Sequence, residues 1–185
     1  TTVKYGKGVE NGMLTAVGVV PKPLQKPYPP VFLPFASSPN SIRWAATEGV
    51  TAILPPMHPA YEAPLYDLYA EVSKRPRGQG TGLLRDVIIC DTDEEAMSLW
   101  EDSGRFSGKA WFEPFGFRKG SMDPLTKKFP TAKESIDYGY ALVGTVDTVT
   151  RALEVNMKRQ AVDWLFCYTY NALVPHKTVM KSTEG

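Results

Sequence analysis

Val31-Phe32-Leu33-Pro34-Phe35-Ala36-Ser37-Ser38-Pro39-Asn40-Ser41 passes from an apolar run to a helix start within one short stretch of chain. Val31 to Ala36 is brief and rich in β-branched and aromatic side chains, which predicts a buried strand, with Pro34 weighing against it. Ser38 is placed to cap a helix and Pro39 to open its first turn, with Ile42, Ala45 and Ala46 on one face and Gly49 at the end. A strand that runs directly into a helix is the unit from which parallel sheets are built.

The same alternation continues downstream. Val50 to Leu54 reads as a strand stopped by Pro55-Pro56, and Glu62 to Lys74 as a helix with Leu65, Leu68, Tyr69 and Val72 along its apolar stripe. Leu83 to Cys90 is a third strand. Thr92-Asp93-Glu94-Glu95 forms a capping box that opens a helix through Ser103. Residues 104 to 140 are aromatic and glycine-rich without a clean period, and read as an excursion over the mouth or rim of a barrel or as a long loop with a short helix. Gly144-Thr145 caps a helix from Val146 to Gln160, Trp164 to Tyr168 is a fourth strand, and another helix begins after Pro175. Upstream, residues 1 to 30 carry a cluster of prolines and form an irregular connection, with a short hairpin expected between Met13 and Val20.

The whole of 1–185 therefore reads as one α/β domain built on a parallel sheet. Four nearly all-apolar strands would leave two open edges and need cover on both faces. A closed (β/α)8 TIM barrel meets that need but takes about 250 residues, so the chain is expected to carry half of one.

Composition narrows the function. The chain is 43% apolar and 22% charged, as in ordinary globular domains, and its net charge is +1. Lys and Arg are scattered, so neither nucleic acid nor a membrane surface is indicated, and a small-molecule substrate is the expected ligand. Cys90 and Cys167 lie far apart with no metal-ligand spacing, which points to a reducing cytoplasm and to no metal site. Cys167, inside a strand, reads as a small core residue.

Ser37-Ser38 and Ser41 place hydroxyl groups at the carboxyl end of a strand and the start of a helix, where free amides and the helix dipole favour an anion such as phosphate. The other reading of Ser38 is a plain helix cap. His58 follows Pro55-Pro56-Met57 on the side where barrel enzymes keep their active sites, so Met57 and His58 are candidate pocket residues, although a histidine in a proline-rich loop is also an ordinary surface residue. Trp111-Phe112, within the aromatic run to Phe117, either roof an apolar pocket or pin the excursion down. Asp91, Asp93, Glu94 and Glu95 match a first-turn charge pattern, and Lys158-Arg159 a last-turn one. No catalytic residue is nominated.

Pro21-Lys22-Pro23-Leu24-Gln25-Lys26-Pro27-Tyr28-Pro29-Pro30-Val31, then Ala36-Ser37-Ser38-Pro39 and Ile42-Arg43-Trp44-Ala45-Ala46, resemble a stretch of the bacterial luciferase-like flavin-dependent monooxygenases. Gly144-Thr145-Val146-Asp147-Thr148-Val149 is similar to a later helix start of that family, and Asp163-Trp164 to the approach to its last strand. Tyr28 departs from the family's usual histidine. The resemblance implies strands five to eight of a TIM barrel, with Ala36, Ser37, Ser38 and Ser41 holding the phosphate of reduced FMN delivered by a separate reductase. It also implies oxidation of a small organic substrate, a companion chain or fragment carrying strands one to four, and a dimer of complete barrels. Two alternatives stay open: a noncatalytic flavin-binding or stabilising subunit, and a deazaflavin-dependent oxidoreductase.

Overall fold

The computed structural model describes residues 8–15, 21–169 and 172–184. The chain divides into two compact units, residues 1–30 and 31–185. In the first, strands β1 (Val9–Glu10) and β2 (Met13–Leu14) pair antiparallel. Asn11 and Gly12 join them, both with positive φ (52° and 75°), the conformation that two-residue hairpin turns require and that Asn-Gly supplies. The hairpin thus lies ahead of the expected position, and residues 16–20 of the expected one fall outside the described residues.

The second unit is a parallel sheet with helices. Strand β3 (Phe32–Leu33) leads to α1 (Pro39–Glu48), β4 (Thr51–Leu54), α2 (Pro59–Ser73) and β5 (Thr81–Ile89). Next come α3 (Asp93–Phe106), α4 (Ala132–Asp137), β6 (Ala141–Gly144), α5 (Val146–Gln160), β7 (Trp164–Tyr168) and α6 (His176–Glu184). The strand expected over Val31 to Ala36 is shorter than that, because Pro34 lacks an N–H and Phe35 turns the backbone into the left-handed region (φ 53°). The Ala36 N–H still donates to the Ile53 carbonyl (3.0 Å), so the chain stays beside β4 as it turns.

Helix α1 forms as its sequence predicts. Ser38 Oγ accepts the Ser41 N–H (3.2 Å), Pro39 opens the helix, and Gly49 ends it in the left-handed conformation (φ 70°). Ile42, Ala45 and Ala46 bury against the core that α1 and α2 share with β4 and β5. Helix α3 runs on past Ser103 to Phe106 and continues as a π-helical turn, Ser107–Phe112, inside the stretch expected as an excursion.

Strand β5 organises the sheet. Gly82 and Leu83 pair with both β4 and β7, and Asp86 pairs with both β6 and β7. Because a residue pairs once on each side, β4 and β6 follow one another along one edge of β5 while β7 takes the other. Strand β6 has no counterpart in the sequence reading: Tyr140-Ala141-Leu142-Val143 is too short to carry a period. Among the described residues the sheet is open and does not close on itself. Its curvature still brings the Phe32 ring of β3 edge-on to Trp164 and Phe166 of β7, at 5.1 and 5.4 Å between centroids. On β7 the expected burial of Cys167 is not met: it is exposed, because the strand has a covering partner on one edge only among the described residues. No described helix is long and apolar enough to cross a membrane.

Candidate active site

A cavity of about 790 Å³, within the range of small-molecule sites, opens at the carboxyl ends of the strands. Three strand exits contribute to it, with Phe35 after β3, Pro55 and Pro56 after β4 and Tyr168 at the end of β7, and Leu84 and Asp86 enter from the middle of β5. Carboxyl ends are where parallel α/β folds keep their ligands, since loops there can diverge without disturbing the sheet.

The left-handed turn at Phe35 aims its ring into this space. There it stacks on Phe117 (5.4 Å) and meets Phe112 (6.0 Å), so the excursion is pinned as a roof from below. A non-glycine residue in that conformation costs of order 1–3 kcal/mol, which the roof contacts offset. Arg118 adds a positive group. Its guanidinium lies 4.4 Å over the Phe129 ring and 3.4 Å from a Glu113 carboxylate oxygen, and burial lowers its pKa against the opposing pull of Glu113.

Alternation along β5 sends Leu84 and Asp86 to the cavity and Arg85 to the opposite face, under α2 and α5. Burial pushes the Asp86 carboxyl up to about 7, while the charge of Arg85 and a bond from its own backbone N–H pull the other way. Tyr140 also lines the cavity. Its hydroxyl is buried without a hydrogen-bond partner, and burial, then Glu62, raise its pKa.

Of the residues nominated from sequence, Phe112 lines the cavity. Trp111 beside it is 64% exposed and packs on Phe115. Met57 sits in the core beneath Gly120, and His58 caps α2, its Nδ1 accepting the Ala60 N–H (3.2 Å) while its own N–H donates to the Gly120 carbonyl. Neither lines the cavity. Ala36 is buried, whereas Ser37 and Ser38 are exposed, and the hydroxyls of Ser38 and Ser41 lie 2.9 Å apart at the mouth of α1. None of these four lines the cavity; Phe35, just ahead of them in the chain, does. Helix α5 differs: the Asp93 carboxylate already accepts the Thr145 N–H (2.7 Å) and the Thr148 hydroxyl (3.0 Å) at its start.

Asp86, Tyr140 and Arg118 escaped the sequence reading. The available signal was a charged pair, Arg85-Asp86, inside an otherwise apolar strand.

Comparison with known proteins agrees with this architecture. Monooxygenase RslO1 from Streptomyces bottropensis superposes with a TM-score of 0.70 at 16% identity, over 89% of this chain and 48% of that one. The oxygenating constituent of 3,6-diketocamphane monooxygenase from the CAM plasmid of Pseudomonas putida, solved in complex with FMN, gives 0.58 at 19% identity, over 77% and 42%. The long-chain alkane monooxygenase LadA gives 0.57 at 16% identity, over 85% and 39%. The chain shares its fold with luciferase-like monooxygenases. It spans less than half the length of these three structures. No family model and no curated protein matches the sequence.

Proposed function

We propose that this protein is the carboxyl-terminal half of a luciferase-like TIM barrel, with strands five to eight at β3, β4, β5 and β7, that works as an FMN-dependent monooxygenase. The observation that carries the reading is the short chain distance between Phe35, which walls an aromatic cavity, and an uncovered helix start bearing Ser37, Ser38 and Ser41. An anion suits that start, since the dipole and first-turn amides of a ten-residue helix face it and, unlike α5, it has no carboxylate from the described residues seated on it. Ser38 and Ser41 would hold the FMN phosphate, with the flavin reaching past Phe35. Reduced flavin, brought by a separate reductase, supplies the electrons for oxygen activation.

The chain's own residues position and shield. Phe35, Phe112 and Phe117 exclude water and stack on a flat ligand, while Asp86 and Tyr140 offer polar groups inside. A small organic substrate fits such a lining. Strand β7 pairs on one edge only among the described residues, and its Trp164, Phe166 and Tyr168 are partly exposed, which supports a companion chain or fragment supplying strands one to four, in a dimer of complete barrels. The two unpaired cysteines suit a reducing cytoplasm.

Titration with FMN, followed by quenching of flavin fluorescence, together with oxygen uptake in the presence of reduced FMN, tests the reading. Saturable FMN binding that weakens about tenfold in Ser41→Ala, the loss of one hydrogen bond to a charged group, is expected. Absence of both flavin binding and flavin-linked oxygen uptake, with and without the companion half, overturns it.

A further inference from the structure

We propose that Asp86 is the acid–base group of the cavity, exchanging a proton with the oxygen of a largely aromatic ligand lodged against Phe35, Phe112 and Phe117. The inference deepens the proposed function by naming what moves a proton in that same site, and its geometry does not depend on flavin.

Three observations carry it. Asp86 sits on the interior-facing register of β5 and lines the cavity beside Leu84. Its backbone is held on both sides, paired with Ala141 of β6 and Tyr168 of β7, so the carboxyl is presented from a rigid point and not from a loop. Nearby charges are already committed elsewhere: Arg85 points to the opposite face and binds Glu62, and Arg118 binds Glu113. Among the described residues, no cation is ion-paired to Asp86.

The groups facing the cavity do not fix its charge. Glu101 and Asp102 of α3 and Glu113 of the roof would raise the pKa of a neighbouring carboxyl. Arg105 of α3, Lys109 of the π turn and Arg118 would lower it. The phenols of Tyr140 and Tyr168 line it too. Desolvation outweighs the charge of Arg85 and brings the carboxyl to about 7, where both protonation states are populated at neutral pH.

The step is simple to balance. Ionised Asp86 takes the proton of a ligand hydroxyl: the ligand O–H bond breaks, a carboxyl O–H bond forms, and the negative charge passes to the ligand oxygen. The reverse transfer restores both partners. Nothing is oxidised or reduced in it.

The test pairs ¹³C-carboxyl titration of aspartates in the protein with binding of 4-nitrophenol, whose absorbance distinguishes phenol from phenolate. A resonance missing in Asp86→Asn should titrate near pH 7. Asp86→Asn should weaken 4-nitrophenol binding about tenfold and flatten its pH dependence around neutrality, and Asp86→Glu should restore that dependence. FMN binding is measured on the same wild-type samples. Should that variant fail to fold, the wild-type spectrum decides: an aspartate resonance that titrates near pH 7 and shifts on 4-nitrophenol binding is expected, and its absence overturns the proposal. The proposal is overturned if Asp86 titrates near the ordinary 3.8, if 4-nitrophenol does not bind at millimolar concentration, or if Asp86→Asn binds it with the wild-type pH profile. Loss of FMN binding with an intact Asp86 titration would remove the flavin reading and leave this one standing.

Discussion

Glu62 on α2 and Arg85 on β5 form an ion pair of 2.8 Å, Oε1 to Nη2, and neither side chain reaches solvent. Gln160 of α5 donates its side-chain amide to the second Glu62 oxygen (2.7 Å), and Arg77 donates to the Gln160 side-chain oxygen Oε1 from outside (3.4 Å). One polar network thus ties two helices to the central strand on the face opposite the cavity. Arg85 Nε and the Tyr66 hydroxyl remain without hydrogen-bond partners there, so the network is not fully satisfied.

Glu62→Gln should therefore be strongly destabilising, by about 3–5 kcal/mol, because it leaves a buried guanidinium uncompensated. The double change Glu62→Met with Arg85→Met should cost much less, since it removes both charges from the interior. Urea denaturation of the three proteins measures the difference. Equal losses in the single and double variants would show that the pair is not what holds α2 to β5.

Gly78 turns at φ 90°, and a Cβ there would lie 2.3 Å from the Ala161 carbonyl oxygen and 2.7 Å from that of Gln160. Both obstacles are backbone, so they cannot rotate away. Gly78→Ala should cost well over about 1 kcal/mol, whereas Gly49→Ala, at a similar positive φ but with open space around it, should lose about 1 kcal/mol. Their urea midpoints, measured side by side, check the ordering.

Asp93 couples the start of α3 to the start of α5. Bonds from the Thr145 N–H first and the Thr148 hydroxyl second hold its carboxyl below the usual range. A depressed folded-state pKa means that the stabilisation is fully present above the ordinary value of 3.8 and fades as pH falls through the lowered one. Asp93→Asn should be less stable than wild type at pH 7, and the gap should close in acid below pH 3.8. A gap that persists unchanged at acid pH would assign the effect to shape and not to charge.

Ser38 and Ser41 can be separated by experiment. The cap is the Ser41 N–H on Ser38 Oγ, so Ser38→Ala should lose about 1 kcal/mol of stability and Ser38→Gly only a few tenths. Ser41→Ala keeps that N–H and should leave stability within about 0.5 kcal/mol, so weakened FMN binding in it reports on phosphate contact alone. Thermal denaturation beside the FMN titration makes the comparison.

The sequence by itself determined the elements whose causes lie within one turn of chain. Ser38 with Pro39, Thr92, and Thr145 each start a helix because a side-chain oxygen and the amide it accepts are three residues apart, and Gly49 ends one because only its own backbone must turn. The order of strand and helix followed, and with it the parallel sheet. Tertiary structure decided the rest. Ala141 to Gly144 is a strand because the carboxyl half of β5 offers an edge, and Cys167 is exposed because β7 lies at the border of an open sheet. Asp86 faces a cavity while Arg85 meets Glu62 because the sheet's two faces pack against different partners. Which side of a strand a charge occupies follows from alternation, but what waits on that side is set by chain far away in sequence.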